Sequence, residues 1–298
     1  MKNILIVGCG LLGSSLLRRI QKKKMANKIY IYEKSKSNIT KIKKLRLPGI
    51  IVKKLEDGVI KADLIILCTP MSEYKNLIFK MNKFLSPKTI ITDIGSSKIE
   101  SSKIIKKFLR KDVFWTQSHP IAGSEVSGPE HGKQDLFENK WCVLIKEKNT
   151  KKNHLNVLSK FWKKIGSKIV VMSSEKHDKI FSITSHLPHL IAYNLVKSAQ
   201  DFEKIQKYDL IKYSAGGLRD FSRIAASNEI MWRDIFFNNK TNISKAIDLF
   251  IKNLNSFKKD INSKNDKSIL RKLIQTKKVR TKIIKLKQDI DEPDFGRG

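Results

Sequence analysis

At 298 residues with 40% apolar side chains, the chain can fill two ordinary globular cores, and no uninterrupted apolar run reaches membrane-spanning length. Its 61 Lys and Arg against 28 Asp and Glu leave a formal charge of +33, spread through every segment without an aromatic-interleaved stripe, a zinc-ligand spacing or a ribonucleoprotein-type motif. Nucleic-acid binding is therefore the alternative of a different class, while the basic field suits small polyanionic ligands. The three cysteines, Cys9, Cys68 and Cys142, are odd in number and set in apolar runs, as expected for free thiols of a cytoplasmic protein. Glycines interrupt the apolar stretch 4–17 and no small-residue cleavage site follows, so a secretion signal is not expected.

Residues 2–7 form a strand whose run Ile4-Leu5-Ile6-Val7 is continuously apolar, of the kind buried on both faces of a parallel sheet. Gly8-Cys9-Gly10-Leu11-Leu12-Gly13 follows, then a helix over 11–22 with Leu12, Leu16, Leu17 and Ile20 on one face, then a second strand, 28–32, ending at Glu33. Strand, glycine turn, helix, strand and acid in this order form a dinucleotide-binding unit. Gly8 makes the tight turn, Gly10 lets a pyrophosphate approach the helix start at Leu11 and Leu12, and Gly13 lets helix and strand pack closely. A carboxylate at Glu33 accepts both ribose hydroxyls and repels a 2′-phosphate, which favours NAD. Lys34-Ser35-Lys36 keeps NADP open.

The alternation continues with strands at 62–68, ending at Thr69-Pro70, at 89–92, ending at Asp93-Ile94-Gly95-Ser96-Ser97-Lys98, and at 113–116. The last leads into a loop, Gln117-Ser118-His119-Pro120-Ile121-Ala122-Gly123-Ser124-Glu125. Pro120 biases His119 toward an extended backbone. A histidine before a proline is by itself an ordinary loop residue. However, open parallel sheets bind ligands outside the carboxyl ends of their strands, and Gly8, Glu33, Thr69, Ser96 and His119 each follow such an end. His119 is thus a candidate base.

Strands at 141–145 and 168–172 flank a helix with Leu155, Leu158, Phe161 and Trp162. We expect an α/β fold: an amino-terminal Rossmann-type doubly wound domain, 1–172, and an all-helical substrate-binding and dimerisation domain with a basic tail, 173–298. Helical spacing runs through Ile180, Ile183, Leu187, Leu190, Ile191 and Leu195, and again through Ile243, Ala246, Ile247, Phe250, Leu254, Phe257 and Ile261. Such wide apolar faces predict a homodimer. Past Ile261, Leu270, Leu273, Ile274 and Ile284 predict one more amphipathic helix, shorter than an independent regulatory domain. Ser185-His186-Leu187-Pro188-His189 sets two histidines at a proline-disturbed turn, but no third ligand stands at a supporting spacing and no metal is expected. Arg219 and Arg223 share a helix face, suiting either a substrate with carboxylates or a surface ion-pair face.

Together these segments resemble the prephenate dehydrogenases and the broader cyclohexadienyl dehydrogenases. The resemblance rests on the glycine turn, Asp93 to Lys98, Ser118 to Glu125, Ser185 to His189, Gly217-Leu218-Arg219-Asp220-Phe221-Ser222-Arg223 and Met231-Trp232-Arg233-Asp234. It implies NAD-dependent oxidative decarboxylation of prephenate, with arogenate as a further substrate. It implies His119 as base, Ser96 near the substrate hydroxyl, Arg223 on the ring carboxylate, and His189 and Arg219 on the side-chain carboxylate. Ser185 and Glu125 would border the pocket and Trp232 would reach the neighbouring subunit's site. A β-hydroxyacid-type dehydrogenase is the nearest alternative.

Overall fold

Apolar strands that must be covered on both faces set the architecture. The computed structural model describes residues 2–286 and 288. It opens with β1 (Asn3–Val7), α1 (Leu11–Lys22), β2 (Lys28–Tyr32), α2 (Lys36–Lys44), β3 (Ile50–Ile51) and α3 (Leu55–Val59). There follow β4 (Leu64–Leu67), α4 (Tyr74–Met81), β5 (Ile90–Asp93), α5 (Ile99–Phe108) and β6 (Phe114–Trp115). These strands form one parallel sheet in the order β3-β2-β1-β4-β5-β6, the doubly wound arrangement with its switch point between β1 and β4. Val7 pairs with Tyr32 on one side and Leu67 on the other, so the central carboxyl ends are level. Along β1, Ile4 and Ile6 enter a buried cluster with Leu16, Leu17 and Ile20 of α1, while Leu5 and Val7 enter a second with Tyr74 and Leu77 of α4. This two-sided burial is why the strand reads as a continuous apolar run.

After β6 the chain departs from the expected loop. Ser118–Pro120 is a strand, β7, antiparallel to β8 (Trp141–Ile145), and β8 is parallel to β9 (Lys168–Met172) across α6 (Lys152–Ile165). His119, read from the sequence as a loop residue, stands opposite Val143 on this second sheet. The reason is local. Pro120 keeps His119 extended, and the ladder closes on both sides of the proline, with Ile145 N–H donating to Gln117 O and Ile121 N–H to Trp141 O.

From Ser174 the described chain is helical apart from its connections: α7 (Ser174–Phe181), α8 (Leu187–Gln206), α9 (Gly216–Ala225), α10 (Glu229–Asn238), α11 (Lys240–Asn262) and α12 (Asp266–Lys285). The proline-disturbed turn expected around Pro188 is instead a π-helical stretch, Ser182–His186, running straight into α8. A proline in the first turn lacks an N–H that would otherwise bond backward, and the helix widens there without breaking. The chain forms two compact units, 1–243 and 244–298, so α7 to α10 belong to the unit that holds the sheet.

In the second unit, Lys272 Nζ on α12 donates to Asp260 Oδ2 and Ser256 Oγ of α11, both at 2.6 Å. Leu249, Leu254, Leu270, Leu273 and Val279 remain exposed in the single chain. Most of the expected basic tail beyond α12 lies outside the described residues. No helix among the described residues is long and apolar enough to cross a membrane.

Candidate active site

A cavity of about 1490 Å³ lies along the carboxyl ends of β1, β2, β4 and β5 and continues past β7 to α8, α9 and α10. Its first end is made largely of backbone. Gly8 has φ of +89°, and a Cβ there would lie 2.8 Å from Cys68 O. A Cβ on Gly13 would lie 2.1 Å from Gly8 O, so Gly13 supports the turn from behind and does not line the cavity. Gly10 has nothing within 4 Å of its Cβ position and does line the cavity, beside Leu11 and Leu12. No side chain caps α1, which leaves the N–H groups of its first turn for ligand oxygens.

Glu33 borders the same end, with Oε2 accepting Cys9 N–H at 2.8 Å and Oε1 accepting Ser35 N–H at 2.9 Å. Lys34 is paired with Glu73 at 2.8 Å and Lys41 with Glu130 at 2.5 Å. A 2′-phosphate would therefore meet a carboxylate and lysines that already have partners. Thr69 and Pro70 complete this wall, and Thr69 Oγ1 is buried without a protein partner. The uncapped helix start, the open Gly10 and the orphaned hydroxyl fit a dinucleotide with free ribose hydroxyls.

The other end is made of side chains. Ser96 follows β5 and lines the cavity. Behind it, Lys98 is fully buried, donating from Nζ to Asp93 Oδ2 at 2.6 Å and Ser118 O at 2.7 Å. Asp93 also accepts from Tyr74 Oη at 3.1 Å, Trp115 Nε1 at 3.0 Å and Gly95 N–H at 3.1 Å. This ties the ends of β5, β6 and β7 together beneath His119. His119 itself lines the cavity, with Nδ1 turned to His177 Nε2 at 2.7 Å. Burial holds its imidazole well below the ordinary histidine range, reinforced by His177, Lys98 and His186. The imidazole is therefore neutral at physiological pH.

Ser185, His189, Arg223, Glu125 and Trp232 reach the same cavity. His189 Nδ1 lies 3.0 Å from Ser185 O, and its ring stacks on Trp232 with centroids 3.8 Å apart. Trp232 lies in its own chain's cavity, whereas the sequence led us to expect it in a neighbour's, and its Nε1 is buried without a protein partner. Arg223 Nη1 is 3.5 Å from Glu125 Oε2. Arg219, one turn earlier on α9, is exposed and outside the cavity. Spacing placed both guanidinium groups on one face, but only Arg223 reaches far enough along α9 to meet the pocket.

Sequence reasoning missed His177 and Asp178. They sit on α7, where Ser174, His177 and Asp178 are all buried, and polar residues at i, i+3 and i+4 on an inward face were the available signal. Asp178 Oδ1 accepts Lys98 N–H and Oδ2 accepts Ile99 N–H, both at 2.9 Å, capping α5. His186, also buried, bonds through Nδ1 with Asn239 Nδ2 at 3.1 Å and is pushed down to about 4, chiefly by burial.

The family model described as prephenate dehydrogenase, nucleotide-binding domain, matches residues 16–171, and that described as prephenate dehydrogenase, dimerization domain, matches 173–276. The chain belongs to the prephenate dehydrogenase family. The cyclohexadienyl dehydrogenase of Zymomonas mobilis is 32% identical over 290 residues, covering 97% of this chain and 98% of that protein. The prephenate dehydrogenase of Lactococcus lactis is 33% identical over 285 residues, covering 94% of this chain and 77% of that protein. In structure, the prephenate dehydrogenase of Aquifex aeolicus in complex with hydroxyphenyl propionate and NAD+ superimposes with a TM-score of 0.88 at 35% identity, covering 95% of this chain and 98% of that one. The match to the nucleotide-binding domain begins at residue 16, past the glycine turn.

Proposed function

We propose that this chain oxidises and decarboxylates prephenate to 4-hydroxyphenylpyruvate and carbon dioxide with NAD, as a cytoplasmic homodimer, and that arogenate is a further substrate. One observation carries the reading: a neutral imidazole at His119 and a guanidinium at Arg223 line one cavity whose far end is the glycine turn. Bound NAD supplies the hydride acceptor. His119 takes the proton of the ring hydroxyl, and Ser96 orients that hydroxyl by a hydrogen bond. Oxidation leaves a carbonyl conjugated to the ring carboxylate, so carbon dioxide departs as the ring becomes aromatic, and the protein needs only to position and deprotonate.

Arg223 binds the ring carboxylate, displacing its contact with Glu125, which then borders the filled site. His189, Ser185 and Trp232 receive the side-chain carboxylate, and the orphaned indole N–H of Trp232 is a ready donor. Arg219, exposed on α9, takes no part in its own chain's cavity. The dimer is supported by the dimerization-domain match and by the exposed leucines of α11 and α12. Free cysteines support a reducing compartment.

The test is His119→Asn. We expect kcat to fall by about 10²–10⁴-fold with the prephenate KM and NAD affinity little changed. Unchanged turnover would remove His119 from the mechanism.

A further inference from the structure

Behind His119 stand two buried side chains that the reaction scheme above does not use, and the three form a line. His119 Nδ1 lies 2.7 Å from His177 Nε2, and His177 Nδ1 lies 2.8 Å from Asp178 Oδ1. His177 and Asp178 have no exposed side-chain surface. Phe181 closes the line from the cavity side, its ring centroid 5.0 Å from that of His119 and 4.5 Å from that of His177. The aspartate end is fixed, because each of its oxygens also accepts a backbone N–H at the start of α5.

We propose that His177 and Asp178 are positioning residues that lock His119 as the Nδ1–H tautomer, leaving Nε2 as the basic nitrogen. The assignment propagates outward from the carboxylate. Asp178 accepts from His177 Nδ1–H, so a neutral His177 carries its lone pair on Nε2. That lone pair accepts only if His119 bears its hydrogen on Nδ1. The same carboxylate that orients the base caps the helix following Ser96, so the two groups that meet the substrate hydroxyl are set by one residue.

This inference rests on His119 being the base. When the substrate O–H bond breaks, the proton goes to His119 Nε2 and the C–H electron pair leaves as hydride to bound NAD. His119 then holds both N–H bonds. Nδ1–H remains donated to His177, whose own Nδ1–H stays on Asp178, so the line of hydrogen bonds is unchanged through the step. As carbon dioxide departs, the C–C electron pair turns the ring oxygen into a phenolate, which takes the proton back from Nε2. The base is restored and no net proton is released. The other groups facing this pair are Lys98 with its partner Asp93 from the end of β5, His186 from the π-helical stretch, and the Cys142 thiol on β8. Lys98 and His186 oppose an imidazolium there, so the relay works by holding a neutral tautomer and not by raising basicity.

Two measurements on the full chain decide it. Nitrogen-15 NMR of histidine-labelled protein with NAD resolves the six histidines, and His119→Asn identifies the His119 signals. We expect His119 as the neutral Nδ1–H tautomer, and a neutral Nε2–H tautomer would overturn the proposal without any variant at His177. In kinetics, His177→Phe should lower kcat by about 100-fold with KM for prephenate and affinity for NAD unchanged. His177→Gln, whose amide oxygen can accept from Nδ1, should restore much of it. Equal losses in the two variants would refute the relay. If the wild-type protein failed to oxidise prephenate, the functional reading would fall while the tautomer measurement still judged the relay.

Discussion

The two ends of the cavity are built from different parts of the polypeptide. At the coenzyme end the ligand-facing surface is mainly backbone, in the form of Gly8, Gly10 and the uncapped start of α1, and the ion pairs around it, Lys34–Glu73 and Lys41–Glu130, are solvated. At the substrate end the surface is side chains drawn from β7, α7, α8, α9 and α10, over a buried pair, Lys98–Asp93, with no exposure on either partner. A backbone site needs only local conformation. A side-chain site needs distant segments held in register, and the buried charge network does the holding.

Breaking that network should produce the largest effect. Lys98→Met leaves Asp93 charged and uncompensated in the interior, and we expect about 3–5 kcal/mol lost from the unfolding free energy in denaturant titrations. Lys34→Met, at the solvated pair, should cost less than about 1 kcal/mol. Similar losses would mean the two ends are held alike.

Acid should act next, and again on the substrate end. Burial holds His119, His177 and His186 neutral below their ordinary range, whereas in the unfolded chain they titrate near ~6.5. Below that pH the unfolded state binds more protons. Stability is complete above about 6.5 and falls as pH drops, by about 1.4 kcal/mol per pH unit for each histidine that stays neutral. Melting temperatures that are flat between about pH 7 and 5.5 would contradict these assignments.

Smaller effects separate binding at the two ends. Arg223→Ala should raise the prephenate KM by about 10–100-fold and leave NAD affinity alone. No rise in KM would remove the carboxylate contact. Glu33→Ala should weaken NAD by about 10-fold or less and narrow its preference over NADP, with prephenate KM unaffected. A preference that stays intact would mean that other groups reject the 2′-phosphate.

The same contrast explains what could be read from the chain. The glycine turn, Glu33 and the strand ends were legible because each is a local pattern with a fixed physical reason, and the resemblance drew His119, Arg223 and His189 together. His177 and Asp178 were not, since nothing near them in sequence points to a histidine on β7. Nor was the strand character of His119, which depends on a ladder with β8 more than twenty residues later. Arg219 was placed by spacing alone, and spacing does not say how far along a helix a cavity reaches.

The measurement that bears most directly on the account is turnover of prephenate by the purified protein with NAD, following NADH, 4-hydroxyphenylpyruvate and carbon dioxide together. Equal amounts of all three are expected, with arogenate assayed in parallel for breadth. Folded protein that binds NAD yet reduces none with either substrate would contradict it.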